Sequence, residues 1–93
     1  ELAKSLVADP EVLAVVGHGI SDTTLAAAEI YQASQLVLMS PVSSAVQLSD
    51  MGNYIFRTMT SDQLTAQALA DYMLQRLKQR QVVIFFNSAS EYS

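Results

Sequence analysis

The sequence predicts an α/β fold in which βαβ units build a largely parallel sheet. Short unbroken apolar runs, Val12–Val16, Leu36–Met39, Tyr54–Phe56 and Val82–Phe86, alternate with longer segments of helical period. Each run ends on glycine, serine, arginine or asparagine, which close strands and open loops. The composition agrees: 51% of the 93 residues are hydrophobic and 15% are charged, which is globular and not disordered.

Taken in order, Glu1 to Ala8 reads as the end of a helix stopped by Asp9-Pro10. Val12 to Val16, with three valines, suits a strand buried on both faces. Gly17-His18-Gly19 breaks it. Ser21 to Ser34 has helical composition, with Ser21 as N-cap and Asp22 in the first turn, where the helix dipole favours an anion. Leu36 to Met39 is the second strand, ended by Ser40-Pro41. Val42 to Asn53 is polar and mixed, with room for a short helical turn. Tyr54-Ile55-Phe56 is the third strand. Thr60-Ser61-Asp62-Gln63 has the form of a capping box, with Thr60 as N-cap. A helix to about Arg80 follows, its apolar face carried by Leu69, Met73 and Leu77. Gln81 to Phe86 is the last strand. The sheet is expected to hold at least three parallel strands, containing Val12–Val16, Leu36–Met39 and Val82–Phe86, with right-handed crossovers.

Several functions are disfavoured. The net charge is -4, which argues against a surface for nucleic-acid phosphates. Arg76, Lys78 and Arg80 cluster where a helix C-terminus accepts cations. With no cysteine there is neither disulfide nor thiolate metal site. The single histidine, His18, has no second ligand at metal-binding spacing, so no metal or cofactor is expected. Gly17-x-Gly19 is followed by Asp22 where the dinucleotide fingerprint needs a third glycine. No spacing brings Ser, His and an acid together for hydrolysis, and no enzymatic activity is expected. The longest apolar stretches are too short to span a bilayer.

In parallel sheets ligands sit beyond the carboxyl ends of the strands. The segments after Val16, Met39, Phe56 and Phe86 are therefore the candidates. In Gly17–Thr24, glycines permit close approach, and the helix opening at Ser21 offers free N–H groups to a carboxylate, with hydroxyls on Ser21 and Thr23. The alternative is that Ser21 only caps the helix and Thr23 is surface. In Ser40-Pro41-Val42-Ser43-Ser44, hydroxyls and carbonyls suit an ammonium group. The alternative is an ordinary turn.

The string Val15-Val16-Gly17-His18, with Ser21, Thr24, Ala28-Glu29-Ile30-Tyr31 and Met39-Ser40-Pro41, resembles the leucine/isoleucine/valine-binding family of type I periplasmic binding proteins. Tyr54-Ile55-Phe56-Arg57-Thr58 and the long helix leading to a Val-rich strand extend the resemblance over nearly the whole chain. It implies that residues 1–93 are part of one Rossmann-like lobe of a larger two-lobed protein, in keeping with a chain that opens mid-helix without an initiator Met. It further implies an extracellular or periplasmic solute-binding role beside an ABC-transporter permease, with an amino-acid-like ligand and lobe closure as the signal. By the same resemblance, Ser21 binds the ligand carboxylate, while Ser43 through its carbonyl and Ser44 through its hydroxyl hold the α-amino group. Tyr92 packs near the ligand. Two departures stand out: Asp22 lies where hydroxyl or small residues are common, and Tyr92-Ser93 replaces Tyr-Gly. A receptor-like sensor of the same fold with a changed or lost ligand is the alternative, and a nucleotide-handling α/β enzyme a further one. A lobe separated from its partner exposes sheet edge and apolar faces, so self-association is expected.

Overall fold

A computed structural model of the chain describes residues 1–90. Three helices and three strands follow in the order α1 (Leu2–Ala8), β1 (Ala14–Val16), α2 (Ser21–Ala33), β2 (Val37–Ser40), β3 (Ile55–Arg57) and α3 (Asp62–Gln75), with a short 3₁₀ helix, Val46–Asp50, between β2 and β3. The strands form one parallel sheet in the order β1-β2-β3. The α/β class and the parallel sheet thus agree with the sequence.

Register fixes which side chains share a face. Val15 pairs with Leu38 and Leu38 with Ile55. This row faces α2 and joins Ala3, Ala27, Ala28, Tyr31 and Leu48 in the core. Alanines at 27 and 28 let the helix backbone approach the sheet, and Tyr31 fills the remaining space with no exposed surface. The alternate row, Val16, Met39 and Phe56, points the other way. Val16 is 77% exposed and Phe56 47%. The expectation that β1 is buried on both faces is therefore corrected. Only the α1/α2 side of the sheet is covered, so the apolar run is half used.

The last predicted strand is a second correction. Val82–Phe86 is not a strand in the structure, and its residues are highly exposed, Phe85 by 93%. The physical reason lies in the element before it. Helix α3 buries none of its residues, and Leu69 and Leu77 stay exposed. A crossover helix that does not dock on the sheet cannot return the chain to the free edge of β3. The molecule is correspondingly long, 55 × 23 × 17 Å, with a radius of gyration of 16.3 Å against the roughly 12–13 Å of a compact chain this size.

Two caps differ from expectation. Ile20, not Ser21, is the N-cap of α2, and Ser61, not Thr60, caps α3, its Oγ accepting from the Leu64 N–H at 3.4 Å. The basic cluster begins at the end of α3, with Arg76 as C-cap. No helix among the described residues is long and apolar enough to cross a membrane.

Candidate functional site

Because the strands are parallel, β1, β2 and β3 all end at one edge, and the loops that follow them converge there. Three segments meet: Gly17–Ile20 with the start of α2, Pro41–Ala45 after β2, and Thr58–Ser61 before α3. The hydroxyls gathered at this edge are largely buried: Ser21, Thr24 and Ser40 at 0% exposure, Ser43 at 1%, Ser44 at 7% and Ser61 at 8%. Burying a hydroxyl is unfavourable unless it is hydrogen-bonded, so each one reports a specific contact or a cavity.

Ser21 Oγ accepts the Ala45 N–H at 3.4 Å, which ties the start of α2 to the β2 loop. This is why Ser21 does not cap its own helix: its oxygen serves a residue far along the chain. The Ile20 carbonyl instead accepts from Thr23 Oγ1 at 3.0 Å and from Thr24 Oγ1 at 2.9 Å. Thr23 is exposed, and its hydroxyl is turned back on the helix. Ser43 is buried, with its N–H donated to Ser40 Oγ at 3.3 Å and its Oγ paired with Thr24 Oγ1 at 2.6 Å. Tyr92 lies outside the described residues.

Around Ser44 the backbone is held firmly. Its carbonyl accepts the Asp62 N–H at 2.9 Å and Arg57 Nη1 at 3.2 Å. Arg57 Nη1 also reaches the Ala45 carbonyl at 2.7 Å, and Nη2 donates to Ser49 Oγ. The guanidinium at the end of β3 thus braces the β2 loop by its fork of donors. Among the described residues the Ser44 hydroxyl makes no hydrogen bond, yet no side-chain polar atom is both buried and unpartnered. Ser44 Oγ therefore reaches open space.

That space is an open cleft of about 680 Å³ bordered by Ser44, Val42, Met59, Thr60, Asp62 and the Ile84–Phe86 segment. A second cavity of about 410 Å³ is bordered by Gly19, Ile20, Ser21, Val42 and Met59. Val42 and Met59 line both, so the two cavities adjoin and place Ser21 and Ser44 on either side of one apolar divide. Asp22 does not stand alone beside them, since its Oδ2 accepts from Ser90 Oγ at 3.2 Å. On the helix side, His18 Nε2 lies 3.3 Å from Tyr31 Oη, with the rings stacked at 6.0 Å and 12°. Burial pushes the Tyr31 phenol above its ordinary pKa.

The structure thus brings Ser21, Ser43 and Ser44 together and leaves Thr23 aside. Sequence reasoning missed Thr24, Arg57 and Met59 as members of the site. A signal existed for Thr24, which stands three residues after Ser21 and so shares its helix face. None existed for Arg57 and Met59, whose place depends on how the β3 loop meets the β2 loop.

The parallel α/β unit opens two adjoining clefts at its strand ends, the edge where ligands sit in sheets of this kind. The whole chain, residues 1–93, matches the family model described as periplasmic binding protein, and the chain belongs to that family. It is 30% identical over 84 residues to an amino acid binding protein of Pseudomonas aeruginosa, covering 89% of this chain and 22% of that protein. It is 28% identical over 71 residues to a Leu/Ile/Val-binding protein of Citrobacter freundii, covering 75% of this chain and 19% of that one. A solved ABC transporter substrate-binding protein from Desulfitobacterium hafniense, in complex with Leu, superposes with a TM-score of 0.73 and 36% identity, over 81% of this chain and 23% of the other. The chain therefore spans about a fifth of the length of the relatives it matches.

Proposed function

We propose that this chain forms one wall of an amino-acid site in a two-lobed solute-binding protein that delivers its ligand to an ABC-transporter permease outside the cytoplasmic membrane. Residues 1–93 are part of one lobe, and closure of the second lobe over the cleft is the binding signal. Binding, not bond-breaking, is the activity.

The observation that carries this reading is the pair of adjoining cavities that share Val42 and Met59 and have Ser21 at one end and Ser44 at the other. A zwitterion with an apolar side chain has the matching layout. Its carboxylate meets the first-turn N–H groups of α2, where the helix dipole is favourable, beside the buried Ser21. Its ammonium meets the Ser44 hydroxyl and the Ser43 carbonyl, to which no hydrogen bond is donated among the described residues. The names of the relatives, amino acid binding and Leu/Ile/Val-binding, support the same ligand class.

Isothermal titration of the intact protein against a panel of amino acids and nucleotides tests the reading. Uptake of an apolar amino acid such as leucine is the expected result. Loss of one hydrogen bond to a charged group costs about 1.5–3 kcal/mol. Ser44→Ala should then weaken binding by about ten- to a hundredfold with folding nearly unchanged, and Ser21→Ala should weaken binding while also costing stability through the lost Ala45 contact. Heat with nucleotides alone, or unchanged affinity in both serine variants, overturns it.

A further inference from the structure

The buried hydroxyl of Thr24 makes more contacts than a helix needs. Its Oγ1 donates to the Ile20 carbonyl at 2.9 Å, within its own helix. The same atom accepts the His18 N–H at 3.3 Å, from the loop after β1. It also lies 2.6 Å from Ser43 Oγ, in the loop after β2. Thr24 Oγ1 accepts the His18 N–H, and in the pair with Ser43 Oγ either hydroxyl serves as donor, so the two oxygens are joined in both arrangements. Thr24 has no exposed surface and Ser43 only 1%, so water does not compete for these bonds.

We infer that Thr24 is a positioning residue: a latch, touching no ligand itself, that holds the β1 loop and the β2 loop in one fixed relation. The inference rests on the proposed amino-acid reading only for its consequence in binding. The ligand's two charged ends lie on different loops, Gly19–Ser21 and Ser43–Ser44. Their separation is set by whatever joins those loops below the cleft. Two bonds do so, the Ser21–Ala45 bond and the Thr24–Ser43 bond. Of these the second is much the shorter. It also fixes Ser43 from its side chain, which leaves the Ser43 carbonyl oriented for the ligand. The valine side chain fills the same volume as threonine without the hydroxyl, so Thr24→Val removes the latch while keeping the helix, and Thr24→Ser keeps the oxygen.

The test uses the intact protein and two readouts. Backbone amide exchange needs no ligand. In Thr24→Val the His18 amide should exchange faster relative to the Ala28 amide inside α2, and Thr24→Ser should restore protection. Titration with L-leucine should show Thr24→Val weakened by about tenfold and Thr24→Ser within about twofold of the wild type. Ser43→Ala removes the partner from the other loop without altering α2. Combined with Thr24→Val it should add little beyond either change alone, because the two hydroxyls act as one unit. Unchanged His18 exchange in Thr24→Val overturns the latch whatever the ligand. Faster exchange with unchanged leucine affinity overturns its role in binding. A wild-type protein that ignores leucine overturns the amino-acid reading instead, and the exchange comparison still decides the latch. Should Thr24→Val not fold, Ser43→Ala decides it through leucine affinity and exchange of the Ser43 and Ala45 amides in the β2 loop, and no change in either overturns the latch.

Discussion

Tyr31 shows how one residue joins the core to the site. Its ring is wholly buried among Ala27, Ala28 and Leu38, while its hydroxyl lies by His18 Nε2 in the β1 loop. Burial raises its pKa above the ordinary value of 10.0. The folded chain then keeps this proton at pH values where the unfolded chain has lost it. Above pH 10 the unfolded state binds fewer protons, so stability falls as pH rises. The contribution is fully present below that value and disappears as pH climbs through the raised pKa. Tyr31→Phe removes the titration. Denaturant melts taken at increasing alkalinity should show a shallower loss for the variant than for the wild type, and parallel losses would contradict the assignment. At this scale the sequence was partly informative. Ser21, Ser43 and Ser44 converge at the strand ends, but the buried partners of the Ser21 and Ser43 hydroxyls, Ala45 and Thr24, belong to other segments.

At the scale of elements, α2 and the β2–β3 connection are locked by a contact that depends on one glycine. Gly52 has φ of +125°, a conformation that side chains rarely adopt, and a Cβ built on it meets the Gln32 amide at 2.3 Å. Gln32 Oε1 accepts the Tyr54 N–H at 3.0 Å, just before β3 begins. Gly52→Ala therefore strains the backbone and displaces the amide that sets the start of β3. A destabilisation of about 1–3 kcal/mol is expected. Gln32→Ala should cost less, since the glycine conformation survives. Equal chemical-denaturation midpoints for Gly52→Ala and the wild type would refute this. The elements themselves were mostly legible, because periodicity and Pro/Gly punctuation act locally: α2 ends one residue from its expected end, and β2 is shifted by one. The caps were not, since Ser21 and Thr60 were chosen by residue type, and a long-range partner took the oxygen of Ser21.

For the molecule as a whole, the uncovered surface is the dominant feature. Val83, Ile84, Phe85 and Phe86 are exposed by 79, 77, 93 and 69%, and Val16 and Phe56 project from the bare face of the sheet. Contiguous apolar surface of this kind associates in water, and β3 offers an unpaired edge. The isolated 93-residue chain should self-associate with rising concentration, most through residues 82–86. Sedimentation velocity should show this, and Phe85→Asp with Ile84→Lys should return the chain toward monomer. A clean monomer at high concentration in the unaltered chain would count against it.

What the sequence determined by itself is what depends on neighbours along the chain. Alternating period, apolar runs and turn residues were enough for the α/β class and for parallel strands. The tertiary structure alone decided three things. It left the face of β1 bearing Val16 uncovered, because an apolar run looks the same whether one face or two are packed. It left Val82–Phe86 unpaired, because a strand exists only when a partner edge is reached, and α3 does not bring it there. And it brought Thr24, Arg57 and Met59 beside the serines at the candidate site, because which oxygen meets which donor is a matter of where parallel strands end in space, and hydrogen bonds form only at contact.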